Sequence, residues 1–196
     1  MGSLTLLIGG ARSGKSTYAE SKAARVDGQV LYLATAEPLD PEMTTRIERH
    51  RRVRPEDWKT LEVPQGIVRA LKASDLNPDL VLLDCVTMLV SNLVLKSSED
   101  PEQPDQDAAE AAVDRELEAL IEHMHSARAD WLVVTNEVGM GLVPPYPLGR
   151  IYRDLLGWAN RRLARAADEV YFMTAGMALP LHELGFHIQG DEDAGG

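Results

Sequence analysis

The apolar residues of this chain collect into five short runs of β type, at residues 4–8, 30–34, 80–84, 131–135 and 170–173, with room between successive runs for one or more helices. That rhythm predicts a parallel sheet carrying helices on its faces. A shorter run at 58–63 predicts an edge strand, and 184–188 predicts another. Over 110–125, Ala112, Leu117, Leu120, Ile121 and Met124 recur near the three-and-four spacing of an amphipathic helix. Over 148–167, Ile151, Leu155, Trp158, Leu163 and Ala166 do the same, while the arginines and Asp154 fall largely elsewhere. Between Ser97 and Glu110, six carboxylates and two prolines without a basic residue predict a solvated connection. The 196 residues suit one compact domain over 1–190, ending in a frayed tail at 191–196.

The first apolar run, Leu4-Thr5-Leu6-Leu7-Ile8, leads at once into Gly9-Gly10-Ala11-Arg12-Ser13-Gly14-Lys15-Ser16, and a helical pattern follows. Strand, GxxxxGKS and helix in that order make a phosphate-binding loop. The glycines let the backbone curl so that N–H groups converge, and the helix aims its positive end at the same point. A nucleoside triphosphate is the natural occupant. Lys15 reaches its outer phosphates as a point charge, and the Ser16 hydroxyl completes the coordination of a bridging Mg2+. The expected fold is therefore α/β, of the P-loop NTPase (RecA-like) type, with a central, mostly parallel sheet flanked by helices.

Val81-Leu82-Leu83-Asp84 is an apolar strand ending in an acid, as in a Walker B segment. Asp84 is expected on the strand neighbouring the loop, where it helps Ser16 position the metal. Lys and Arg number 20 against 31 Asp and Glu, a formal charge of −11, which disfavours a general nucleic-acid binder. No apolar stretch approaches bilayer-spanning length, and the run at the amino end lacks the flank and length of a signal peptide, so a cytoplasmic protein without membrane insertion is expected. The single cysteine, Cys85, falls in an apolar run and reads as a small buried hydrophobe.

Against this acidic balance, Arg46, Arg49, Arg51, Arg52 and Arg54 crowd around His50. Guanidinium forks suit phosphate oxygens, and their field favours a neutral imidazole, the form a nucleophile needs. The residues alone leave two readings open, a basic helix face with an incidental histidine and an imidazole that attacks the α-phosphorus of a bound triphosphate. His123, His125, His182 and His187 show no metal-ligand spacing. Asn136 and Glu137 follow a predicted strand at the ligand-bearing edge of an open sheet, either to orient metal or acceptor or to build a turn.

The ordered set of segments resembles the bifunctional adenosylcobinamide kinase and adenosylcobinamide-phosphate guanylyltransferase family of cobalamin biosynthesis. The resemblance rests on the phosphate loop; Tyr32-Leu33-Ala34-Thr35-Ala36; Asp40 to Met43 with Arg46-Ile47 and His50; Arg54-Pro55 with Trp58 and Glu62; Leu83-Asp84-Cys85; and the stretch from Thr135-Asn136-Glu137-Val138-Gly139-Met140 to Pro144. Arg150, Arg153-Asp154, Gly157 and Asn160-Arg161 continue it. It implies phosphorylation of the aminopropanol hydroxyl of adenosylcobinamide, then transfer of GMP from GTP to adenosylcobinamide phosphate, with Mg2+. ATP is an alternative donor for the kinase step. By that resemblance His50 carries GMP and, with Lys15, forms the catalytic pair. Nucleotide contacts fall on Gly9, Gly10, Ala11, Arg12, Ser13, Gly14, Lys15, Ser16, Ala34, Thr35, Ala36, Arg51, Arg52, Val53, Arg54, Glu62 and Asp84. Ser16 and Asp84 are the metal residues, and a ring-like homo-oligomer, a trimer, is implied. Two rivals share the loop: a small-molecule kinase without a covalent intermediate, and a RecA-like NTP-driven subunit.

Overall fold

The computed structural model describes residues 1–38, 40–98, 100 and 102–184, apart from the side chains of Glu42, Arg46, His50 and Val53. The expected tail at 191–196 lies outside the described residues. In chain order the elements are β1 (Leu4–Gly9), α1 (Lys15–Ala23), β2 (Val30–Ala34), α2 (Pro41–Val53), β3 (Lys59–Glu62), α3 (Ile67–Ala73), β4 (Leu80–Asp84), α4 (Val86–Lys96), α5 (Gln106–Ser126), β5 (Asp130–Asn136), α6 (Pro147–Ala166), β6 (Glu169–Thr174), β7 (Met177–Pro180) and α7 (Leu181–Leu184). The strands form one sheet in the order β3-β2-β4-β5-β1-β6-β7. Neighbours pair in parallel except for β7, which runs antiparallel to β6. This is the expected architecture, with the expected edge strand near Trp58 present as β3.

Alternation along each strand sends successive side chains to opposite faces. Leu6, Leu31, Leu33, Val81, Leu83 and Val133 face one way, against Val86, Leu89, Leu117, Leu120, Leu156 and Leu163 of α4, α5 and α6. Leu7, Tyr32, Leu82 and Val134 face the other way, where Ala19 and Ala23 of α1 and Trp58 cover them. Full burial of such an aliphatic side chain contributes about 1.5–3 kcal/mol, so the strands are fixed chiefly by this two-sided packing.

Local chemistry sets several boundaries. α2 begins where the Asp40 carboxylate accepts from the Met43 N–H at 2.7 Å, with Pro41 in the first turn. α5 begins at Gln106, earlier than its apolar spacing predicted. The Asp105 carboxylate caps it by accepting from the Ala108 N–H at 2.9 Å, and Asp107 adds a favourable charge in the first turn. The acidic connection expected up to Glu110 is correspondingly shorter.

Three further expectations need correction. β4 is not adjacent to β1, because β5 pairs with both and lies between them. The final strand is Met177–Pro180, reached through Ala175 and Gly176, which both have positive φ. Leu184 of the expected 184–188 strand belongs to α7, and the rest of that segment lies outside the described residues. Cys85 is half-buried at the start of α4 and not part of the sealed interior. No helix among the described residues is long and apolar enough to cross a membrane.

Candidate active site

The phosphate loop follows β1 and is held by backbone geometry. Arg12 and Gly14 adopt positive φ, 58° and 98°, which turns the chain back before α1. Gly9 is required by close approach, since a Cβ there would lie 2.2 Å from the Met173 carbonyl oxygen of β6. The Gly176 N–H donates to the Ser13 carbonyl at 3.1 Å, tying the loop to the turn before β7. No side chain caps the start of α1, so its first N–H groups are available to an anion. Lys15 is 6% exposed, and its ammonium donates to the carbonyls of Gly9 at 2.9 Å and Gly10 at 2.7 Å.

Beside the loop, at the carboxyl edge of the sheet, a cleft of about 250 Å3 opens under α2. Ser16, Ala34, Ala36, Arg51, Arg54, Glu62 and Asp84 line it, so it unites expected residues from five separate stretches of chain. β4 ends at Asp84 one strand further from the loop than expected, yet Asp84 and Ser16 still share this cleft. The two are hard oxygen donors of the kind Mg2+ takes alongside phosphate oxygens and water, so the residues present fit that ion.

Arg54 ends α2 with its guanidinium 3.4 Å from the centroid of the Tyr32 ring. Its Nε and Nη1 are buried without a hydrogen-bond partner among the described residues. A buried unsatisfied donor costs about 1–3 kcal/mol, and more when charged, so these groups call for an anion. The Tyr32 hydroxyl donates to Asp84 Oδ2 at 2.7 Å. Burial, reinforced by the neighbouring Asp84 charge, pushes its pKa well above the ordinary phenol value and keeps it a donor.

At the edge strand, Glu62 Oε1 accepts from Arg51 Nε at 3.0 Å and also from Arg51 Nη2, which fastens α2 to β3. Arg52 points elsewhere. It is exposed and pairs with Glu48 at 3.6 Å, one helical turn back. Thr35 is completely buried and absent from the cleft wall. Its hydroxyl donates to the Cys85 carbonyl at 2.7 Å and accepts from the Cys85 N–H at 2.9 Å, which locks β2 to the end of β4. Ala11 and Arg12 are exposed on the loop. His50 falls within α2, and its side chain and that of Val53 lie outside the described residues.

Asn136 lines the cleft, whereas Glu137 builds a turn. The Glu137 N–H donates to the Gly9 carbonyl at 3.0 Å and its carboxylate accepts from the Gly139 N–H at 2.5 Å. Met43, Ile47 and Cys85, which the resemblance includes without a role at the site, also reach the cleft, as do Thr87 and Met88, which the sequence does not single out. Apolar or small residues of this kind look like ordinary core, and only their position after β4 or on α2 could have marked them.

Residues 5–181 match the family described as cobinamide kinase / cobinamide phosphate guanyltransferase. The chain belongs to that family. It is 44% identical over 181 residues to the bifunctional adenosylcobalamin biosynthesis protein CobU of Escherichia coli (strain K12), an overlap of 91% of this chain and 99% of the relative. It is 43% identical over 180 residues to the protein of the same name from Salmonella typhimurium, with the same coverage. The bifunctional adenosylcobalamin biosynthesis protein CobP of Pseudomonas aeruginosa is 39% identical over 176 residues, covering 90% of this chain and 95% of the relative. Among solved structures, an ATPase of the type III secretion system of pathogenic bacteria superposes with a TM-score of 0.57 at 11% identity, over 95% of this chain and 60% of that one. That likeness is one of fold, and it agrees with the P-loop NTPase architecture. The expectation of a bifunctional kinase and guanylyltransferase, carried by the cobinamide family, agrees with the membership.

Proposed function

We propose that the chain phosphorylates the aminopropanol hydroxyl of adenosylcobinamide and then moves GMP from GTP, by way of His50, onto adenosylcobinamide phosphate. The observation that carries this reading is the single cleft in which Ser16 and Asp84 meet Arg51 and Arg54, the arginines that close the helix bearing His50. Family membership supports the chemistry, and the loop supports the triphosphate.

In the kinase step the loop amides and Lys15 hold the donor while the substrate hydroxyl attacks the γ-phosphorus in line. The bond from that phosphorus to the bridging oxygen breaks, a nucleoside diphosphate leaves, and the hydroxyl proton passes to solvent. In the transfer step a nitrogen of His50 attacks the α-phosphorus of GTP and pyrophosphate departs. An oxygen of the acceptor phosphate then displaces the imidazole, so a difficult exchange becomes two simpler ones. Arg51 and Arg54 supply donors for the phosphate oxygens. Ser16 and Asp84 would hold Mg2+, which would supply charge neutralisation for the phosphates. A carboxylate at Glu62 suits the N1–H and N2–H donors of guanine. GTP as the donor, with ATP as a kinase-step alternative, a cytoplasmic location and a homotrimer complete the proposal.

The test is incubation with GTP labelled at the α-phosphorus. The expected product is labelled protein whose bond survives base and breaks in acid, as a phosphoramidate does. His50→Ala is expected to lose this label and all guanylyl transfer while retaining kinase activity. Labelling that persists in His50→Ala removes the histidine, and kinase activity with no label in the natural protein leaves a kinase alone.

A further inference from the structure

Tyr32 is only 2% exposed, in the middle of β2, where a phenylalanine would fill the same space. A buried tyrosine hydroxyl requires a partner, and here the partner is the carboxylate of the neighbouring strand. β2 and β4 pair in parallel with Ala34 opposite Asp84, so Tyr32 stands on the same face as the acid and reaches it diagonally across the ladder. The hydroxyl takes Oδ2 at 2.7 Å. On the same ring lies the guanidinium of Arg54, 3.4 Å from the centroid, with its buried Nε and Nη1 lacking hydrogen-bond partners among the described residues. Asp84 ends a core strand, whereas Arg54 closes the helix on the opposite wall of the cleft. One side chain therefore touches both.

We propose that Tyr32 is a positioning residue that joins Asp84 and Arg54 into one assembly, setting the carboxylate for Mg2+ and the guanidinium for the phosphate oxygens of the same nucleotide. The hydroxyl restrains Asp84 through Oδ2, and the ring is the platform on which the unpaired guanidinium donors wait. An orienting hydrogen bond of this kind acts as outer-shell partners of metal ligands do, by narrowing the orientations of the ligand. The proposal rests on the nucleotide-site reading above, but it is tested by binding and not by turnover.

Binding of a fluorescent N-methylanthraniloyl GTP is titrated with and without Mg2+ in the natural protein, Tyr32→Phe and Tyr32→Leu. Tyr32→Phe keeps the ring and loses the hydrogen bond. The Mg2+ concentration that half-saturates the metal-dependent gain in affinity is expected to rise roughly tenfold, while affinity in chelator stays near that of the natural protein. Tyr32→Leu also removes the platform and is expected to weaken metal-free binding by about three- to tenfold. Combined with Asp84→Asn, the Tyr32→Phe effect on Mg2+ dependence is expected to vanish, because the two act through one contact. Superimposable Mg2+ curves for Tyr32→Phe and the natural protein overturn the link to Asp84. Metal-free affinities that coincide for Phe and Leu overturn the link to Arg54. Tyr32→Phe decides the first half even if Tyr32→Leu does not fold. Variants that show these binding effects beside a natural protein that never carries GMP defeat the transfer reading and leave the Tyr32 assembly standing.

Discussion

The two walls of the cleft are built in opposite ways. On the sheet side, Asp84 terminates β4, whose Leu80, Val81, Leu82 and Leu83 are all buried, and α4 behind it buries Val86, Leu89, Val90 and Leu93. On the helix side, not one described side chain of α2 is buried, and Met43 and Ile47 reach only half burial. α2 is held by polar contacts at its carboxyl end, Arg51 to Glu62 and Arg54 over Tyr32. Core packing thus fixes the wall that ends in Asp84, while charge and one aromatic platform fix the wall that carries His50. Segments with little buried apolar surface open locally at low free energy, so the walls are expected to differ in rigidity as well as in composition.

Native-state hydrogen exchange should expose the widest gap. Amides of α2 are expected to exchange through openings of no more than about 2 kcal/mol, whereas those of β4 wait for global unfolding at about 5 kcal/mol or above. Equal protection in the two elements would erase the contrast. Truncation gives a smaller but sharper measure. Leu83→Ala, in the sealed core, is expected to cost about 2–5 kcal/mol in denaturant unfolding, and Ile47→Ala on α2 less than about 1 kcal/mol. The smallest effect is expected for Arg51→Ala. Its pair with Glu62 is half exposed, so global stability should fall by only about 0.3 kcal/mol and high salt should remove most of the difference.

The same division governed what the residues alone could disclose. β1, β2, β4, β5 and β6 were legible because strands buried on both faces read as unbroken apolar runs. The phosphate loop was legible because its chemistry is local, with glycines, lysine and serine fixed by spacing. Sheet order was not. Nothing in the apolar run of β5 announces that it separates β4 from β1, and so Asp84 was expected one strand too close. β7 was missed because Met177-Ala178-Leu179-Pro180 is short and ends in proline, although Ala175-Gly176 marks the turn that leads into it. The resemblance puts Thr35 among the nucleotide contacts with Ala34 and Ala36, but the alternation of the extended chain just past β2 turns its side chain inward. Tyr32 belongs to the stretch that carries the resemblance, but its residue type alone assigns it no role at the site. A tyrosine among leucines reads as core until its hydroxyl is seen against Asp84.

The lysine of the phosphate loop has a bearing on how a ligand enters. Its ammonium is satisfied by two main-chain oxygens of the very turn it belongs to. On the proposed reading, a phosphate would take over a cation that the fold already keeps from bulk water, trading places with those oxygens. The turn is braced by its own side chain, so on the nucleotide reading proposed above recognition is a change of partners within a finished scaffold.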